Sequence, residues 1–140
     1  MSNRSQTILL LDDDLDFLMI NRSVLESAGH RVIHATDVDE AWKQLLAEKP
    51  ALVVTDLMIR TLDAGFDFAR RIKADERFQD TPVIILTGIG SRRGYDFTPR
   101  TSEDLKSMEA DAYLEKPVPS AVLLAKVSEL LAKHERGASS

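Results

Sequence analysis

Five residues stand at the ends of short apolar runs, where their chemistry would combine if the runs lay side by side. Asp12 and Asp13 follow ILLL, Asp56 follows LVVT, Thr87 follows VIIL, and Lys116 precedes Pro117 after Tyr113-Leu114-Glu115. Three converging carboxylates repel one another, and a cation that joins them relieves the repulsion. Mg²⁺ suits such a set, because it takes oxygen ligands in an octahedron and keeps waters that a phosphate can replace. An ionised carboxylate is also a nucleophile able to form an aspartyl phosphate. The Thr87 hydroxyl offers a donor to a new phosphate oxygen. The Lys116 ammonium is a compact cation on a flexible stem that can reach the phosphoryl group or pair with Asp56. Each residue alone reads as a strand-terminating or helix-capping group, as Asp commonly is. The combination points to binding a divalent cation and accepting a phosphoryl group.

Strands and helices must alternate to bring these residues together. Runs of four or five apolar or β-branched residues that turn abruptly polar predict strands at Thr7–Leu11, Arg31–Ala35, Ala51–Thr55, Val83–Leu86 and Ala112–Leu114. Between them, apolar residues at helical spacing predict helices over Asp16–Ala28, Val38–Glu48, Ala64–Ala74, near Ser102–Glu109, and over Ala121–His134. On the first helix the stripe is read as Phe17, Ile20, Val24 and Ala28, with Gly29 ending it in a left-handed conformation. Asp37 and Glu40 form a capping-box pair ahead of Val38, Ala41, Trp42, Leu45 and Leu46. Leu123, Val127, Leu130 and Leu131 repeat that spacing in the last helix. Such alternation implies a mostly parallel sheet with helices on both faces and right-handed crossovers. In an open sheet of this kind the ligand crevice lies at the carboxyl ends of the strands. Asp56, on the central strand, would be delivered to its middle.

At 140 residues the chain supports one domain with a sizeable core. A net charge of −5 argues against nucleic acid or an anionic membrane as the main partner. The absence of cysteine excludes disulfides and thiolate metal sites. No run approaches the roughly 20 apolar residues needed to cross a bilayer, and a cytoplasmic protein is the default expectation. Gly88–Thr101 carries glycines, arginines and Pro99 without periodicity and reads as a long loop. Its Arg92, Arg93 and Arg100 read first as solvated, with contact to a partner or to the phosphoryl group as the alternative. Gly88, Gly90 and Gly94 depart from dinucleotide-loop spacing. His30, His34 and His134 lack metal-ligand spacing.

The motifs ILLLDDD (Ile8–Asp14), VVTDLM (Val53–Met58), VIILTG (Val83–Gly88) and YLEKP (Tyr113–Pro117) resemble those of the receiver domain of bacterial response regulators. The resemblance implies an α/β, doubly wound, five-stranded parallel sheet of order 2-1-3-4-5. It implies a receiver over residues 6–134, between a disordered N-terminus (1–5) and a flexible tail (135–140). It also implies that Asp56 is the phosphoacceptor and that Asp12, Asp13, Asp56 and the backbone carbonyl of Met58 hold Mg²⁺. Thr87 and Lys116 would contact the phosphoryl group, and Tyr113 would be the aromatic switch that follows Thr87. The chain departs from the family twice. Met58-Ile59-Arg60 replaces the usual Met-Pro after the acceptor, with Gly65 late, and the stretch from Thr87 to Lys116 is longer than usual.

The leading expectation is a phosphorylation-dependent switch rather than an enzyme, taking its phosphoryl group from a sensor histidine kinase or phosphotransfer protein. The alternatives are a receiver-like interaction module that is not phosphorylated and an Asp-nucleophile, Mg²⁺-dependent phosphohydrolase. The downstream target is left open, as is pairing of two copies in a homodimer.

Overall fold

The central strands are apolar on both parities, which is the pattern of a sheet covered on both faces. Ile8, Leu9, Leu10 and Leu11 are 0–2% exposed, and Leu52, Val53 and Val54 match them. The computed structural model describes residues 6–56, 64–87, 110–115 and 118–139, with positions 64–66, 87 and 133–139 described by backbone alone. Its strands are β1 (Thr7–Leu11), β2 (Arg31–Ala35), β3 (Leu52–Asp56), β4 (Val83–Thr87) and β5 (Ala112–Glu115). They pair in parallel in the order β2-β1-β3-β4-β5, as the resemblance implies. The helices are α1 (Leu15–Ser27), α2 (Val38–Glu48), α3 (Ala64–Ala74) and α4 (Ser120–Ser139). α4 runs beyond the predicted His134. The helix expected near Ser102–Glu109 and the loop expected at Gly88–Thr101 lie outside the described residues.

Side-chain alternation along each strand builds two cores. Leu9, Leu11, Val53, Val83 and Ile85 pack with Ala41 and Leu45 of α2 and with Phe68 and Ile72 of α3. Ile8, Leu10, Val54, Ile84 and Leu86 pack with Leu18 and Leu25 of α1 and with Leu123 and Val127 of α4. The sheet is thus wound on both sides.

The buried face of α1 differs from the expected stripe. Leu18, Asn21 and Leu25 are its centre, with Phe17 and Val24 flanking. Ile20 is 60% exposed, and Leu15 and Met19 are exposed beside it. The cause is Asn21, a polar residue at the middle of the inward face, which makes the apolar pattern read about one residue out of phase (roughly 100° on the helix). The end of α1 follows expectation. Gly29 has φ +94°, the Gly29 N–H donates to the Glu26 carbonyl, and the His30 N–H donates to that of Leu25. These two bonds form a Schellman cap.

α2 begins where the Asp37 carboxylate accepts the Glu40 N–H at 2.8 Å. It ends at Lys49, a left-handed residue (φ 47°) that no glycine announces. At the amino edge of the sheet, Lys73 of α3 donates to the Thr81 carbonyl at 2.8 Å and to Asp111 at 2.7 Å. Asp111 also accepts the Val83 N–H at 2.8 Å, so one carboxylate ties the starts of β4 and β5 to α3.

Candidate functional site

Sheet register sets the site. Leu11 is opposite Thr55 across β1 and β3, so Asp12 and Asp56 emerge side by side one residue later. Across β3 and β4, Asp56 is opposite Leu86, and Thr87 follows. Across β4 and β5, Thr87 is opposite Glu115. The polar residues at the strand ends therefore share the carboxyl edge of the sheet, where an open α/β sheet holds its ligands.

Short local bonds fix each acid. The Asp12 N–H donates to the Ala35 carbonyl at 3.2 Å, which carries the β1–β2 ladder one residue past the strand. The Asp14 N–H donates to Asp12 Oδ1 at 2.9 Å, a turn in which the side chain replaces a backbone acceptor. Asp14 in turn accepts the Phe17 N–H at 3.2 Å and caps α1. The positive end of that helix dipole lies immediately after the acids and offsets part of their mutual repulsion. On β3, the fully buried Thr55 donates its hydroxyl to the Asp56 carbonyl at 3.0 Å.

One carboxylate oxygen from each of Asp12, Asp13 and Asp56 lies within 4.8 Å of the others. Asp12 is 4% exposed, Asp56 is half-buried and Asp13 is exposed. Ligands of an octahedral Mg²⁺ stand about 3 to 4 Å apart, so these acids need close only slightly to hold one. A metal ion fits the donor set: hard oxygens, one buried anchor and two more accessible ligands.

The structure brings together the three acids read from the sequence and places the backbone of Thr87 on the same edge. Tyr113 is half-buried on β5, opposite Ile85, packed against the core shared with α2 and α3, its hydroxyl enclosed. Lys116 and Met58 lie outside the described residues, as do Arg92, Arg93, Arg100 and the three loop glycines. Asn21 escapes a reading that follows only apolar residues. It adjoins Asp12 in the lining of a small cavity, and its one sequence signal is a polar residue between Leu18 and Leu25.

The family model for the response regulator receiver domain matches residues 8–128. Response regulator Rre1 of Synechocystis sp. is 33% identical over 132 residues, covering 92% of this chain and 53% of that protein. Transcriptional regulatory protein AfsQ1 of Streptomyces coelicolor is also 33% identical, over 93% of this chain and 53% of its own. The chain spans about half the length of the curated relatives it matches. Among solved structures, the signal receiver domain of a response regulator from Bermanella marisrubri superposes with a TM-score of 0.74 at 25% identity, covering 91% of this chain and 99% of that one. A CheY-like receiver domain protein from Methanospirillum hungatei shares the fold, with a TM-score of 0.77 at 24% identity over 96% of this chain and 99% of its own. Matched along most of its length in sequence and in fold, the chain belongs to the family of response regulator receiver domains.

Proposed function

We propose that the chain is a phosphorylation-dependent switch of a two-component system, in which Asp56 accepts a phosphoryl group from a sensor histidine kinase or phosphotransfer protein. The observation that carries this reading is the set of three carboxylates within 4.8 Å at the carboxyl edge of the sheet. An Asp56 oxygen forms a bond to phosphorus as the N–P bond of the donor phosphohistidine breaks. The electron pair leaves with the imidazole, which takes a proton from solvent. Asp12, Asp13, Asp56 and the Met58 carbonyl would hold Mg²⁺, which when bound neutralises charge on the transferring oxygens. The Thr87 hydroxyl then donates to a phosphoryl oxygen, Lys116 pairs with another, and Tyr113 follows Thr87 to change the surface beside β5.

The donor's seat is read from α1. Leu15, Met19 and Ile20 are 59%, 43% and 60% exposed, and the first lies two residues after Asp13. An apolar patch beside the acceptor suits a helical donor that must bring its phosphohistidine to Asp56. The acidic balance of the chain, −5, disfavours nucleic acid as its direct partner.

The test is intact-mass spectrometry after incubation with Mg²⁺ and acetyl phosphate, then with a phosphorylated kinase, for wild type and Asp56→Asn. A single phosphoryl adduct absent from the variant is expected. An adduct that survives the substitution places the acceptor elsewhere, and no adduct from either donor favours a receiver-like interaction module.

A further inference from the structure

Asn21 occupies a position that packing alone would give to leucine. It is 5% exposed, between Leu18 and Leu25 at 1% and 0%, on the face of α1 that lies against the sheet. An amide buried among such neighbours is costly unless polar groups satisfy it. A leucine of similar branched shape would avoid the cost, so a second demand on the position is implied.

The geometry supplies that demand. Asn21 borders a small, mostly apolar cavity of about 10 Å³, and among the described residues Asp12 is the other polar residue at its wall. The remaining wall is apolar: Leu10, Leu18, Val54 and Leu86 are all 1–2% exposed, so the cavity reaches Asp12 from the core. Its volume is about that of one water, and a buried water needs two or more polar partners, which an amide and a carboxylate provide. The Asp14 N–H already orients one oxygen of Asp12. The Asn21 residue lines the same cavity as Asp12.

We propose that Asn21 is a positioning residue for Asp12, holding its carboxylate toward Asp13 and Asp56 across this one-water cavity and so setting the affinity of the cluster for a divalent cation. The inference rests on the reading of that cluster as a cation site. Partners of ligating carboxylates commonly change metal affinity about 10- to 100-fold when removed. Leucine at position 21 would keep the packing and remove the polar contact. Serine would keep a polar group and enlarge the cavity.

The experiment measures two quantities on wild type, Asn21→Leu and Asn21→Ser: Mg²⁺ affinity by calorimetry with MgCl₂ alone, and urea unfolding without metal. The expected orders are opposed. Asn21→Leu should unfold at the same or higher urea concentration than wild type yet bind Mg²⁺ about tenfold more weakly. Asn21→Ser should be less stable yet bind Mg²⁺ within about threefold of wild type. Mg²⁺ binding by Asn21→Leu equal to that of wild type overturns the proposal while leaving the cation site standing. Absence of Mg²⁺ binding by the wild type overturns both.

Discussion

The Lys73 ammonium and the Asp111 carboxylate meet at 2.7 Å although 38 positions separate them in the chain. The Lys73 side chain is 17% exposed and that of Asp111 37%, so solvent screens part of the charge attraction. Hydrogen bonding carries more weight, because the same carboxylate oxygen accepts the N–H of the fully buried Val83. Asp111→Ala leaves that N–H without its carboxylate acceptor and the ammonium with backbone carbonyls alone. It should lower the unfolding free energy by about 1–3 kcal/mol, measured by urea denaturation. A change under about 0.3 kcal/mol would show that solvent replaces the clasp.

Gly29 tests backbone conformation apart from packing. A methyl group there would meet nothing within 4 Å, so a substitution acts through φ +94° alone. Gly29→Ala should cost about 1 kcal/mol, with unchanged circular dichroism.

His30 makes stability depend on pH. Burial holds its imidazole below the usual 6.5, and among the described residues its buried Nδ1 has no hydrogen-bond partner. The folded state therefore favours the neutral ring, and below pH 6.5 the unfolded chain binds more protons than the folded one. The contribution is full above that value and is lost as pH falls through it toward the lowered folded value. Comparing urea midpoints at about pH 7.5 and 5.5, His30→Gln should show a smaller drop than wild type. Equal drops would assign the dependence to other groups.

The α1 patch separates docking from chemistry. Met19→Glu adds charge to an exposed apolar surface and leaves the carboxylates untouched. Phosphotransfer from the cognate kinase should slow about tenfold, which corresponds to about 1.4 kcal/mol of docking energy. Labelling by acetyl phosphate, which needs no docking, should proceed at the wild-type rate. Equal slowing with both donors would show damage to the site itself.

Much of this arrangement is legible in the sequence because its signals are local. An apolar run closed by Asp marks the end of β1 and of β3, and parallel register then carries Asp12 and Asp56 to one edge. Gly29 announces its own cap. Asn21 hides the face of α1, since a helix whose inward centre is polar presents its apolar residues out of phase. Lys49 takes a left-handed conformation that its residue type does not signal. The Lys73–Asp111 clasp depends on two charges far apart in sequence that only the completed sheet brings together.

The aromatic packing beneath α3 has an optical consequence. Trp42, the chain's one tryptophan, meets Phe68 and Phe78 edge to face at 6.3 and 6.1 Å, and the Arg71 guanidinium lies 4.5 Å from its ring centre. Phe68 and Arg71 belong to α3, the described helix that follows Asp56 in the chain. The indole on α2 is therefore an intrinsic fluorophore with a cation from α3 beside it. Its emission is a label-free signal that would register a displacement of α3 on the proposed phosphorylation of Asp56.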